Sequence, residues 1–328
     1  MKKSEEKVQA YVGVAGLFEL LGEACPGLDA VVEKYPFRVT SYYAALADWT
    51  DPSDPIRLQV MPDRRELSDG ALEGNEDPFD ERGQTPVPGL VRRYRNRALV
   101  LASRHCAVNC RHCTRKNLLG DVAPADRSCF EQVLKYLNRE RDIREVILSG
   151  GDPLLLDPAL LDWLLGAVQA VDHVEVIRIG TRVPVTLPGR LDDGLADMMA
   201  SHRPVWVNTQ FNHTRELTGE ARAACDRLTR RGVPVSNQTV LLRGVNDSLE
   251  ELIALCNRLQ TALVRPYYIF QCDPVAGTSH FRVPMDKAVS LAAGLRRELG
   301  GLAMPRVVMD TRGPDGKVPL EQAVAEGR

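Results

Sequence analysis

Short apolar, β-branched runs recur along most of the chain: Ala98–Ala102, Glu145–Leu148, Val174–Ile179, Pro204–Thr209, Pro234–Leu241 and Val264–Phe270. Each predicts a buried strand. Between them lie stretches with helical spacing, such as Pro158–Val171, Thr214–Arg231 and Ser248–Thr261. From the second run onward the strand starts are about 30 residues apart, the length of a βα unit. This alternation predicts a parallel sheet, met by an open doubly wound sheet or by an incomplete barrel; the six units point to a partial (β/α)6, TIM-like barrel. Upstream, residues 7–23 predict an amphipathic helix closed by Gly22. Residues 35–90, rich in Pro, Asp and turn signals, predict a loop-rich, mostly surface segment wrapped around a core built later. A last apolar piece, Pro305–Met309, leads into the loop Asp310–Lys317, after which eleven residues remain. The expected division is an N-terminal extension over 1–90, a barrel over 91–283 and a C-terminal segment over 284–328.

Composition narrows the class. Lys+Arg number 42 and Asp+Glu 44, so nothing in the charge favours nucleic acid or a polyanionic membrane surface as partner. With 44% hydrophobic and 26% charged residues, the chain can build a globular core. No apolar run approaches the ~20 residues needed to span a bilayer, and the start Met1–Glu6 lacks the apolar region of a signal peptide. A cytoplasmic protein is expected, and its eight cysteines are therefore core residues, metal ligands or catalysts rather than a disulfide framework.

Three of those cysteines, Cys106, Cys110 and Cys113, follow the first predicted strand with Cys-x3-Cys-x2-Cys spacing. Thiolates so spaced can converge from one loop on one metal centre. Zinc would complete its shell with a fourth ligand, for which His105 or His112 is at hand. An iron–sulfur cluster held by three cysteines would instead keep one iron open. Spacing alone leaves both open. The location, at the C-terminal end of a strand in a parallel α/β array, is where such folds place active sites.

The spacing resembles that of the radical S-adenosylmethionine (SAM) enzymes. The surrounding sequence, Cys106-Ala-Val-Asn-Cys110-Arg-His-Cys113-Thr-Arg-Lys116, is similar to the lysine 2,3-aminomutase family. So are Pro36–Tyr43, Ser149–Leu154, Ile177–Arg182, Asn237–Asp247 and Tyr267–Asp273, in order, from about residue 35 to about residue 320. The resemblance implies a barrel of the radical SAM type, ending in a segment that carries a lysine for pyridoxal 5′-phosphate (PLP). It also implies an isomerase that interconverts L-α-lysine and β-lysine with a 4Fe–4S cluster, SAM and PLP.

Each motif then carries an expected role. Cys106, Cys110 and Cys113 would hold the cluster. Ser149, Gly150, Gly151 and Asp152 read alone as a tight turn whose glycines allow close backbone approach; the resemblance makes them the segment touching the amino end of SAM. Arg182 and Gln238, otherwise polar barrel lining, resemble further SAM-pocket positions. Gln210 stands where many relatives carry histidine. Lys317, alone a surface charge, takes the place of the lysine that forms a Schiff base with PLP. Arg93 and Arg97, alone part of a basic surface stretch with Tyr94, would take the PLP phosphate, with Tyr94 against the pyridine ring and Tyr267 bordering it. Arg115 would clamp the substrate carboxylate. Asp273 and Asp310, alone a cap and a turn residue, would grip the ε-ammonium of lysine; two anions in a partly dry pocket prefer a cation, which makes arginine the second choice.

The resemblance further implies a flavodoxin- or ferredoxin-type reductant and a homo-oligomer. The short chain after Lys317 is similar to the branch whose β-lysine is attached to elongation factor P, whereas Gln271-Cys272-Asp273 and Thr114-Arg115-Lys116 look like the free-lysine mutases. A non-catalytic zinc or iron–sulfur barrel is the alternative from another class.

Overall fold

A computed structural model describes residues 9–22, 26–68, 74–119, 125–312 and 316–327. Among the described residues eleven strands form: β1 (Ala10–Val12), β2 (Arg38–Thr40), β3 (Leu90–Tyr94), β4 (Arg97–Ser103), β5 (Glu145–Gly150), β6 (Val176–Gly180), β7 (Val205–Thr209), β8 (Val235–Leu241), β9 (Arg265–Gln271), β10 (Arg306–Asp310) and β11 (Lys317–Pro319). The last nine make one sheet in the order β11-β10-β9-β8-β7-β6-β5-β4-β3. From β4 to β10 every pairing is parallel, and β3 and β11 close the two edges antiparallel. The six predicted runs are β4 to β9, and each is followed by a helix: Glu131–Arg139, Pro158–Gln169, Asp193–Ser201, Gly219–Arg230, Leu249–Thr261 and Met285–Glu298. This is the partial (β/α)6 barrel, with β10 added as a seventh parallel strand.

The helices start where side chains satisfy their free N–H groups. Asp157 accepts from the amides of Ala159 and Leu160, with Pro158 opening the helix. Ser248 accepts from Glu251 N. The predicted helix Thr214–Arg231 begins later, because Thr218 accepts from Ala221 N; residues 214–216 form a separate single turn. Gly22 does end the first helix with a left-handed φ of 73°. That helix spans only Gly13–Leu21, since residues 10–12 pair with β2; residues 7, 8 and 23 lie outside the described residues. Among the described residues no helix is long and apolar enough to cross a membrane.

Strand alternation sorts the side chains. In β5 Val146 and Leu148 are buried toward the helices, while Glu145, Ile147 and Ser149 line the barrel interior. In β6 Ile177 and Ile179 are buried, and Arg178 and Gly180 face inward. The proline-rich segment does wrap the sheet, but it is not mostly surface. Phe37, Val39, Tyr43, Ile56 and Val60 are each at most 1% exposed and belong to the same apolar core as β4 to β8.

Among the described residues the sheet does not close by strand pairing; side chains bridge its two ends. Arg93 of β3 donates to Asp310 at the end of β10 (Nη1–Oδ1 2.7 Å), and Lys317 of β11 reaches the other oxygen (3.2 Å). Gly316 packs against the Tyr94 ring so closely that a Cβ there would lie 2.2 Å from the phenol oxygen. Gly313, Pro314 and Asp315 of this loop lie outside the described residues.

Candidate active site

A cavity of about 420 Å³ occupies the barrel interior. Arg93, Tyr94, Arg97, Arg115, Ser149, Gln210, Gln238, Tyr267, Asp273, Asp310 and Lys317 all line it, although they come from eight strands or the loops after them. Most of the expected site residues thus face one space. The three cysteines, Gly150, Gly151, Asp152 and Arg182 do not line it; they form the structure at its rim.

The basic end is set by β3 and the start of β4. Arg97 stacks on Tyr94, its guanidinium carbon 3.8 Å from the ring centroid, and that guanidinium has no hydrogen bond among the described residues. The Tyr94 hydroxyl is buried without a partner. An orphaned donor beside an uncommitted guanidinium fits a phosphate group, which accepts from both. Arg178 and Glu145 line the same end and pair with each other. Neither was anticipated, yet the period of two that placed Ser149 inward also places Glu145 and, in the next strand, Arg178.

Two acids, Asp273 and Asp310, also line the cavity, and Asp310 meets Arg93 of the basic end. Asp273 is buried and accepts from the Thr114 hydroxyl (2.8 Å). Burial, with Asp310 nearby, pushes its carboxyl up to about 7, against the pull of Thr114, Lys317 and Arg115. Both carboxylates also border an outer cavity of about 400 Å³ lined by Arg282 and Arg312. Arg115 lines the inner cavity with its fork on Glu81 (Nε–Oε2 2.9 Å), a residue that no sequence signal had singled out.

The cysteine loop is held from below by the N-terminal segment. Asn109 N donates to Arg38 O and Arg111 N to Gln59 O, both at 2.9 Å. Arg111 and Lys116, flanking the last cysteine, both pair with Glu66, whose side chain is 0% exposed. All three cysteines are free thiols. Burial pushes Cys106 well above its ordinary pKa and Cys113 to about 11; Cys113, Asp152 and Cys110 raise the first further, and Cys110 the second. Such thiols need a cationic partner to ionise. N–H donors already point at two of them: Arg115 N to Cys113 Sγ at 3.3 Å, and Arg182 Nη1 to Cys110 Sγ at 2.7 Å. Among the described residues no three Cys, His, Asp or Glu side chains are grouped to hold a single metal ion. A cubane asks for something else, since each thiolate meets a different iron. Three thiols from one loop, two of them already met by N–H donors, fit a cluster held by three cysteines.

Three of the expected SAM-pocket segments also bind the protein itself. Gly150 and Gly151 do approach something closely, but it is the cysteine loop: a Cβ on Gly150 would lie 2.4 Å from Ser103 O, and one on Gly151 2.4 Å from His105 O. Gly151 N and Asp152 N donate to those same carbonyls at 2.6 and 2.7 Å. Gly151→Ala should therefore displace the loop, and a loss of bound iron after reconstitution would register it. The Asp152 carboxylate is consumed internally by Leu154 N, Thr181 Oγ1 and Arg182 N. Arg182 is 8% exposed. Its guanidinium is spent on Cys110, Gln210 O, Gln59, Tyr43 and Glu216. Through Cys110 it holds the cysteine loop. Gln210 meets His112, which burial, Arg182 and Lys116 keep neutral (Nε2–Nε2 3.0 Å).

Residues 100–256 match the Radical SAM superfamily. The chain is 41% identical over 297 residues to an L-lysine 2,3-aminomutase of Clostridium subterminale, covering 90% of this chain and 71% of the relative. It is 41% identical over 323 residues to an L-lysine 2,3-aminomutase of Fusobacterium nucleatum (97% and 73% covered). It is also 35% identical over 294 residues to a glutamate 2,3-aminomutase of Clostridioides difficile (89% and 69% covered).

Proposed function

The chain belongs to the lysine 2,3-aminomutase family of radical SAM isomerases, and on that premise we propose that it interconverts L-α-lysine and β-lysine. The observation that carries the choice of lysine is the pair Asp273 and Asp310 in the cavity that Arg115 also lines. A substrate with both a carboxylate and an ammonium finds a partner of each sign in this cavity. A second carboxylate, as in glutamate, would meet two acids in a partly desolvated site.

Cluster and SAM, when bound, supply a carbon radical able to take hydrogen from Cβ, and PLP supplies a carbonyl to hold the migrating nitrogen and a π system to spread the unpaired electron. The chain's own residues bind and orient. Cys106, Cys110 and Cys113 would hold the cluster, and Arg182 keeps the Cys110 sulfur in a charged hydrogen bond. Ser149 and Gln238 would present polar groups to SAM. Lys317 would hold PLP through Nζ, with Arg93, Arg97 and the unpartnered Tyr94 hydroxyl on its phosphate and Tyr267 at its edge. Glu81 and Thr114 fix Arg115 and Asp273, which would hold the two ends of the substrate. A flavodoxin- or ferredoxin-type donor would deliver the electron.

The raised carboxyl of Asp273 sets a pH dependence. The group is charged above about 7 and neutral below it. Because it is the charged form that binds an ammonium, kcat/KM for lysine should fall as pH drops through about 7, and kcat/KM reports the free enzyme. Asp273→Asn should remove that acid limb; a limb that persists in the variant belongs to another group.

Substrate choice is tested by reconstituting the protein anaerobically with iron and sulfide. SAM, PLP and dithionite are added, lysine, arginine and glutamate are offered together, and the products are read by chiral mass spectrometry. β-Lysine as the main product is expected. A β-amino acid from glutamate or arginine alone would overturn the substrate, and the absence of any 5′-deoxyadenosine would overturn the radical chemistry itself.

A further inference from the structure

We propose that Glu81 is a positioning residue for Arg115: it grips one edge of the guanidinium so that the other edge is presented to the substrate carboxylate. This rests on the reading of Arg115 as the carboxylate clamp. Glu81 Oε2 accepts from Arg115 Nε at 2.9 Å and Oε1 from Nη2, a bidentate pair on the side edge of the fork. Among the described residues nothing bonds to Nη1. A guanidinium carries five N–H donors. Two are engaged here, and the three on Nη1 and Nη2 that remain suffice for a second, end-on bidentate contact. One arginine can hold both carboxylates at once, so Glu81 need not leave when substrate enters.

The mounting of Glu81 suits that task. Its amide donates to the Asp77 carboxylate at 2.7 Å, and its carbonyl accepts from the Thr85 hydroxyl at 2.7 Å. The same segment is tied to the loop after Asp273 through Asn75 N–Pro274 O (3.0 Å) and Ala276 N–Asn75 O (3.1 Å). The grips on the two ends of the substrate are therefore built on one connected rim. An arginine held this way loses less freedom when it binds.

The test uses reconstituted holoenzyme and compares L-lysine with lysinamide, which lacks the carboxylate. Dissociation constants come from the absorbance of bound PLP, and KM and kcat come from turnover. Glu81→Ala should weaken lysine binding about tenfold, leave lysinamide binding within about twofold and change kcat little. Glu81→Gln, which keeps one acceptor and the side-chain length, should recover part of the loss. Equal losses for both ligands would overturn the proposal, as would tighter lysine binding in Glu81→Ala, which would make Glu81 a competitor. Arg115→Gln separates the two levels. If that variant keeps the wild-type preference for lysine over lysinamide, the clamp reading fails and the role of Glu81 fails with it. If it loses the preference while Glu81→Ala retains it, the clamp stands and only the positioning role is overturned.

Discussion

Lys317→Ala should abolish turnover, by at least ~10⁴-fold, while leaving the iron and sulfide content of the reconstituted protein unchanged. The side chain lines the cavity and ends 3.2 Å from Asp310. Its glycine neighbour, with φ +65° and packed on the Tyr94 ring, fixes where β11 begins. No second lysine lines this cavity among the described residues. An amine lost here therefore has no replacement, and the visible absorbance of covalently held PLP should vanish with it. Iron content is the control, because Lys317 plays no part in holding the cysteine loop. A variant that keeps both activity and that absorbance would remove Lys317 from the mechanism.

Glu66→Ala should have the larger effect on the fold. Glu66 accepts from Arg111 Nε at 2.9 Å and from Lys116 Nζ at 2.7 Å, and none of the three side chains is more than 3% exposed. Removing the one anion leaves two cations buried, a change worth about 3–5 kcal/mol. Burial already pulls Lys116 down to about 8 even with Glu66 beside it, a sign of how little water compensates the charge there. Arg111 and Lys116 bracket Cys113, so the damage should reach the cluster. The expected result is a lower urea midpoint together with a protein that loses iron on desalting. Wild-type midpoint and full iron retention would mean that the carbonyls of Tyr35, Pro36 and Gly277, which also accept from these cations, hold the loop by themselves.

Much of the barrel was legible because its signal is local. Val146 and Leu148 alternate with Ile147 and Ser149 within one strand, and a strand fully covered on one face shows that pattern wherever it sits. β3 escaped for the opposite reason. Arg92, Arg93, Arg95 and Arg97 crowd six residues and read as a solvated surface, whereas Arg93 and Arg97 point into a cavity that the linear sequence does not show. The glycines of the Ser149–Asp152 turn were read correctly as a place of close approach, but what approaches is chain 46 residues upstream, at His105. Glu81 and Glu66 carried no motif at all. Their importance comes from Arg115, Arg111 and Lys116, to which only folding brings them. Lys317 was legible through resemblance alone, since a three-residue edge strand has too little pattern to announce itself.

One consequence follows from the way the sheet ends meet. A fully hydrogen-bonded barrel is shut by its backbone whatever it contains. Here the last gap is spanned by Arg93, Asp310 and Lys317, the same groups assigned to hold the contents. On the roles proposed above, an occupant held by Lys317 would draw that amine away from Asp310 and leave one of its oxygens for the substrate's ammonium, while Arg93, with donors to spare, could stay on the other. The barrel's latch and its cargo hooks are one set of atoms. With those roles, filling the barrel and freeing a carboxylate oxygen for the substrate would be one exchange of partners.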